Sequence, residues 1–406
     1  MSKLPRSVRN PQSWRSPLHY VIIVLLSAIA GVMATEWCLS YLNAPRQPLP
    51  FYNRLYPYVM FRPMENYAYE TPETYEMSHH KSRVFVYTNE DGFRIPSLGY
   101  PLPKAKPPAQ LRIAVLGGSL VQLASTFDTT LPGSLRTLLR HTYPGRDIEV
   151  INAGIQSSVS RQSLVQLLLT VVDYHPDIVI LYDGGNDLGL PLTYESRPNF
   201  PYNFQTMEEA WELYRQEREE SLPKLLLHRS HLYRLLSPRF SKSETKLAPT
   251  ADAPFAGSNA VPASRIVQDR KFVTGHVAAY LSNWRKVIEL SAAYHYSPVC
   301  IESAVAGLDE NYAVPLMMKS FRLERTAALE WVRAFDALYG ETARQIAALH
   351  QKYPQVPLLD LSRFLQPPEK YYWDLGHVYD EANPIIAERI YREIKPAVET
   401  ALRGVQ

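Results

Sequence analysis

The sequence predicts an α/β fold: a three-layer α/β/α sandwich whose central, mostly parallel sheet is covered by helices on both faces, preceded by an N-terminal transmembrane helix. Three observations carry this reading. From Leu111 onward, short apolar runs of strand length alternate with longer segments of helical spacing, as in the strand–helix–strand units of parallel sheets. The first three apolar runs lead straight into glycine-containing polar segments, as strands do at the ligand-facing rim of such a sheet. Near the N-terminus, Lys3, Arg6, Arg9 and Arg15 precede an uncharged run from Ser16 to Thr35.

That run has the length of a bilayer span of about 20 residues. We read residues 1–17 as a basic cytoplasmic N-terminus and 18–37 as a signal anchor. Flanking basic residues stay in the cytoplasm, so the rest of the chain is expected to be periplasmic or extracellular, on a single-pass membrane protein. A cleaved signal peptide is the alternative, because Ala28-Ile29-Ala30 and Val32-Met33-Ala34 resemble cleavage sites. The basic n-region argues against a buried helix, and Cys38 lacks the small residues that precede a lipid-modified cysteine.

Residues 38–110 are rich in Pro and Tyr and lack long helical periodicity. Proline removes a backbone donor and disfavours helix interiors, so this part reads as an extension of extended segments and turns. Ser82 to Thr88 alternates as a strand, and Pro101 to Pro108 reads as a linker. The main domain is expected over 111–402. Its strands are Leu111–Leu116, Ile148–Ile151, Ile178–Tyr182, Pro298–Ser303 and Val356–Leu361; its helices are Leu131–Tyr143, Ser160–Tyr174, Lys271–Tyr294, Leu323–His350 and Pro384–Leu402. The repeat is interrupted over about 188–270, read as an insertion over the site. It contains a charged helical stretch at Glu208–Glu220, read as a solvated face, and a Ser-, Ala- and Pro-rich stretch at Ser237–Ser264.

Composition narrows the function. The formal net charge is only +3 and the basic residues are scattered, so no nucleic-acid partner is expected. With two cysteines, Cys38 and Cys300, and no His-Glu-x-x-His pattern, neither a disulfide framework nor a metal site is expected, and no cofactor motif is present. His79-His80 reads as surface or structural, because neighbours in an extended segment point opposite ways.

Four separated segments together carry chemistry. Ser119, in Gly117-Gly118-Ser119-Leu120, follows the first strand of the alternating region, where a substrate sits in open α/β sheets. Asn152-Ala153-Gly154 ends the second strand, and Gly154 could aim its N–H at a developing oxyanion. Gly184-Gly185-Asn186-Asp187 ends the third; Asn186 offers a neutral side-chain donor. Asp374 and His377 are three residues apart in an aromatic loop, close enough for the carboxylate to orient the imidazole. The Gly-x-Ser-x-Gly elbow and the phosphate-binding Gly-x-x-x-x-Gly-Lys loop are both absent. Nucleophile, base, orienter and oxyanion donors are the parts of acyl transfer.

In order and placement these segments resemble the SGNH hydrolase superfamily, the GDSL-type esterases and lipases, over about residues 111–187 and 298–402. The resemblance implies a flavodoxin-like sheet. It also implies Ser119 as nucleophile, His377 as base, Asp374 as its orienter, and an oxyanion hole of the Ser119 N–H, the Gly154 N–H and the Asn186 side chain. Thr88–Arg94 is similar to a stretch that often precedes the nucleophile in membrane-anchored members. Two positions depart from the pattern: Gly118 stands where an Asp is usual, and Ser157-Ser158 where a second glycine is usual. The expected function is hydrolysis of an envelope or extracytoplasmic ester, of a lipid or an O-acylated carbohydrate. The alternatives are O-acyl transfer to a cell-envelope glycan by the same residues, and a non-catalytic module supporting envelope assembly.

Overall fold

The computed structural model describes residues 17–42, 53–56, 58–75, 77–79, 82–193, 195–201 and 260–404. The charged stretch at Glu208–Glu220, and the Ser-rich stretch up to residue 259, lie outside the described residues. Contacts divide the chain into one compact unit of Phe51–Glu208 with Lys246–Gln406, and another that includes Met1–Pro50.

In the latter unit, helix α1 spans Pro17–Leu42, and its described side chains from Tyr20 to Thr35 are exposed. At 1.5 Å per residue such a helix is about 39 Å long. Among the described residues no helix is long and apolar enough to cross a membrane.

The larger unit is built on an eight-stranded sheet. Its strands are β3 (Ala68–Tyr75), β4 (Ser82–Thr88), β5 (Arg94–Ile95), β6 (Leu111–Gly117), β7 (Ile148–Gly154), β8 (Ile178–Asp183), β9 (Ser297–Glu302) and β10 (Leu358–Asp360), in the order β10-β9-β8-β6-β7-β5-β4-β3. The strands from β6 onward pair in parallel, while β5, β4 and β3 continue the sheet antiparallel beyond β7. Counted from β6, the parallel strands run 2-1-3-4-5, the flavodoxin-like doubly wound order. A separate hairpin joins β1 (Asn53–Tyr56) to β2 (Met60–Pro63). The Pro- and Tyr-rich segment read as an extension therefore contributes three strands to the central sheet.

Alternation along the strands decides which face each side chain enters. Ile113, Val115, Ile178, Ile180, Val299 and Ile301 face helices α3 (Leu131–Thr142) and α11 (Asn383–Gly404), where Leu135, Leu139, Ile386, Ile390 and Ile394 complete one buried layer. Ala114, Leu116, Ile151, Val179, Leu181 and Cys300 face the other way. They pack with α4 (Ser160–Leu169), α6 (Ala263–Gln268), α7 (Arg270–Tyr294), α8 (Glu310–Ser320) and α9 (Arg325–Lys352). Between α4 and β8, Val171–Tyr174 forms a 3₁₀ turn; between β8 and α6 lies α5, Gly185–Thr193.

Two short helices, α2 (Ser119–Gln122) and α10 (Pro368–Tyr371), flank the rim of the sheet. Gly117 is required where β6 meets β8, because a Cβ there would lie 2.1 Å from the Tyr182 carbonyl oxygen. Buried Arg94 ties the antiparallel strands to the rim. Its guanidinium donates to the carbonyls of Gln122 (2.5 Å), Ala124 (3.0 Å) and Phe85 (2.8 Å). Replacing it removes three hydrogen bonds to carbonyls, each worth about 1 kcal/mol net. Arg94→Met is therefore expected to lower unfolding free energy in urea by about 2–4 kcal/mol; a loss under about 0.5 kcal/mol would contradict this role.

Candidate active site

Ser119 is the first residue of α2 and directly follows the β6 rim. Its backbone N–H is thus at a helix start, where the first N–H groups have no intrahelical acceptor. Its Oγ lies 2.8 Å from His377 Nε2, and His377 Nδ1 lies 2.7 Å from Asp374 Oδ2. With Nδ1–H donating to Asp374, Nε2 is left to accept from the serine hydroxyl, and both contacts are satisfied at once.

The loop that carries the pair is fastened at several points. A bridge between Tyr372 and Val378 closes its base. Inside it, Asp374 Oδ1 accepts from the backbone N–H groups of Gly376 (2.8 Å) and His377 (2.6 Å). Trp373 stacks on the His377 ring at 4.8 Å between centroids and donates through Nε1 to the Val378 carbonyl. The Leu375 carbonyl accepts from Ala306 and Gly307, beyond the end of β9. Downstream, the Asp380 carboxylate accepts from the Ser125 N–H, and Asn383 donates to the Thr129 carbonyl. These contacts link the histidine loop to the segment that follows the serine. The sequence reading missed both residues; their signal was only that of polar groups next to a loop.

Burial alone would push the Asp374 carboxyl up. The His377 charge, with the hydrogen bonds from His377 and Gly376, outweighs it and holds Asp374 below the usual carboxylate range. Asp374 is thus kept ionised opposite the imidazole.

Asn186, near the start of α5, is brought to the same rim. One of its amide hydrogens goes to the Ser158 carbonyl at 2.7 Å; an NH₂ group has a second to offer a ligand. A Cβ at Gly118 would come within 3.2 Å of that amide nitrogen, so the glycine next to the serine leaves Asn186 its place. Gly154 does not join them. It ends β7 buried, its N–H donates to the Asn152 Oδ1 at 3.1 Å, and a Cβ there would meet the Gln122 backbone nitrogen at 2.7 Å. Strand-end position put Gly154 at the rim, but its donor points back into the strand's own turn. The approach to Asn186 comes instead from the following loop, where Ser157 adopts a left-handed φ of 64° and Ser158 supplies the carbonyl.

Ser119, Asn186, Asp374 and His377 border one cavity of about 230 Å³. Beneath it lie buried acids. Asp183 accepts from Ser163 Oγ at 2.8 Å and from the Gly118 N–H; burial, and then Asp187, raise its pKa well above the ordinary value. Asp187 accepts from the Ser160 N–H and hydroxyl, and burial pushes it up to about 6. Glu302 is raised too, by burial and then by Asp360, and its carboxyl occupies the space a Cβ would take at Gly184. Gly184 itself has a φ of 119°. Among the described residues no group of His, Cys, Asp and Glu side chains could hold a metal ion. His79 packs on the Tyr379 ring and its Nε2 contacts the Lys370 carbonyl, a structural placement; His80 lies outside the described residues.

No protein-family model and no curated protein matches the chain. Among solved structures it is similar to an alpha/beta hydrolase enzyme from the metagenome of Lake Arreo, Spain, with 13% identity, 70% of this chain and 94% of that one covered, and a TM-score of 0.34. It is similar to a catalytic variant of an acetylxylan esterase from Geobacillus stearothermophilus, with 12% identity, the same coverage and a TM-score of 0.38. A GDSL-like lipase from Bacteroides thetaiotaomicron has 14% identity, 70% and 88% coverage and a TM-score of 0.33. Likeness at this level carries no argument about the chemistry, which rests on the geometry of the site.

The buried acids give the fold a pH dependence. A carboxyl whose pKa is higher folded than unfolded favours the folded state while protonated. That advantage is lost as pH rises from the unfolded value towards the folded one, for Asp187 from 3.8 to about 6. Melting temperature is expected to fall across this window, and Asp187→Asn is expected to flatten the fall; an unchanged slope in the variant would contradict the assignment.

Proposed function

We propose that the chain is a serine ester hydrolase of the SGNH, GDSL-type kind. The observation that carries this reading is the unbroken hydrogen-bonded chain from Asp374 through His377 to Ser119, with spacings of 2.7 and 2.8 Å. A nucleophile, a base within reach of it and a carboxylate orienting that base form the arrangement that activates a serine.

Ser119 Oγ attacks the ester carbonyl while His377 Nε2 takes its proton. The negative charge gathers on the carbonyl oxygen, where the Asn186 amide and the Ser119 N–H are the donors. Asp374 stabilises the imidazolium. The carbonyl re-forms, the bond to the alcohol oxygen breaks, and His377 returns the proton to that oxygen. Water then repeats the sequence on the acyl-serine: His377 takes its proton, the acid departs, and Ser119 recovers its hydrogen. The joint presence of Ser119, His377 and Asp374 at hydrogen-bond spacing supports chemistry over a non-catalytic module.

The substrate class we assign is an ester of a lipid or of an acylated carbohydrate outside the cytoplasm. The basic residues before α1 and the apolar run within it support a signal anchor that holds the hydrolase domain at the outer side of a membrane.

Hydrolysis of p-nitrophenyl butyrate by purified protein tests the reading. Ser119→Ala is expected to remove turnover to background. His377→Ala should lower kcat/KM by at least about 10³-fold, and Asp374→Asn by a smaller factor, about 10²-fold or more. Rates near wild type in the Ser119 or His377 variant would overturn it.

A further inference from the structure

We propose that the cavity beside Ser119 is an apolar acyl-chain pocket, and that the preferred substrate carries a medium-length acyl group of about six to eight carbons rather than acetate. The inference rests on the esterase reading above and specifies its substrate.

The walls indicate the chemistry. One side is formed by Leu316 of α8, Phe321 just beyond it, and Trp331 and Phe335 of α9, with Val305 and Leu375 closing the space. Phe321, Trp331, Phe335 and Tyr339 form a continuous aromatic series, with centroids 6.1, 6.2 and 6.3 Å apart. Trp331, Phe335 and Tyr339 recur at four-residue intervals, so they share one helix face. Among the described residues no Lys or Arg borders the cavity. Thr193, Ser303 and Ser320 add hydroxyls to the lining, but an anionic group inside it would lose its water with no cation in exchange, whereas an alkyl chain along the aromatic wall gains from burial.

The direction of the cavity assigns it to the acyl side. Asn186, Gly189 and Thr193 all border it and lie three and seven residues apart on α5, one face of the helix. The space thus runs about 10 Å along α5, starting from the amide proposed to hold the oxyanion. With the carbonyl oxygen on Asn186, the acyl chain continues along α5. The alcohol lies towards His377, whose side chain is 30% exposed, and so leaves to solvent once protonated. Nothing lies within 4 Å of a Cβ built at Gly189, so that position opens onto free space.

Size sets the chain length. The cavity of about 230 Å³ is about one and a half times the ~150 Å³ apolar cavity that holds one benzene. It has room for about nine heavy atoms, shared by the acyl chain and the ester group because Ser119, Asp374 and His377 border the same space, and still more than an acetyl ester uses there.

The test is kcat/KM over p-nitrophenyl esters from acetate to dodecanoate, together with methyl octanoate against octyl acetate. Hexanoate or octanoate should exceed acetate by at least about tenfold, since each buried methylene adds a few-fold, and methyl octanoate should be preferred to octyl acetate. Gly189→Leu should fill the space and lower the octanoate-to-acetate ratio by at least about tenfold. Gly189→Ala, a smaller change in case the leucine variant misfolds, should lower it less. Acetate as the fastest ester, with Ser119-dependent turnover intact, would overturn the pocket and leave the esterase reading standing. Preference for octyl acetate would overturn the acyl assignment in the same way. No turnover of any ester would overturn both.

Discussion

The site depends on one constraint: β6 pairs in parallel with both β7 and β8, its register running to Gly117 opposite Gly154 on one side and Tyr182 on the other. This places the switch of strand order between β6 and β8, the crevice where doubly wound sheets bind ligands. Ser119 leaves the sheet on one side of that crevice and Asn186 on the other. The glycine at the end of β6 is part of the same constraint, since any side chain would strike the β8 backbone.

The histidine comes from far along the chain, and its position is set by a second group of contacts. The Asp374–His377 turn is internally complete: carboxylate, two backbone donors and imidazole satisfy one another. Its placement depends on the Leu375 carbonyl at the β9 end, and on Asp380 and Asn383 reaching the segment after α2. The α11 helix then packs Ile386, Ile390 and Ile394 against the sheet. A loop tied both within itself and to the rest of the sheet holds His377 Nε2 at 2.8 Å from Ser119 Oγ.

Much of this was legible in the sequence, for physical reasons. Buried strands of a doubly wound sheet are apolar runs, and the five parallel strands stand close to where they were read. Ser119, Asn186, Asp374 and His377 were legible because strand ends and a short Asp-x-x-His turn limit where side chains can go. Gly154 was not, because a glycine at a strand end says nothing of where its N–H points; here a neighbouring Asn side chain takes it. The strands before residue 110 were hidden for another reason. Only one, Ser82–Thr88, alternates clearly, and sheet membership depends on partners distant in sequence. The aromatic face of α9 was equally silent, since spacing of four residues reads as ordinary core. Helix α8 was unread; it carries an internal proline, Pro315, which disfavours a helix assignment from sequence alone.

The most direct measurement of the central claim is a crystal structure of the protein after reaction with a fluorophosphonate. The account requires phosphorus bonded to Ser119 Oγ, a phosphonyl oxygen within hydrogen-bond distance of the Asn186 amide and the Ser119 N–H, and His377 beside the adduct with its ring held by Asp374. An adduct elsewhere, or a His377 loop remote from Ser119, would contradict it.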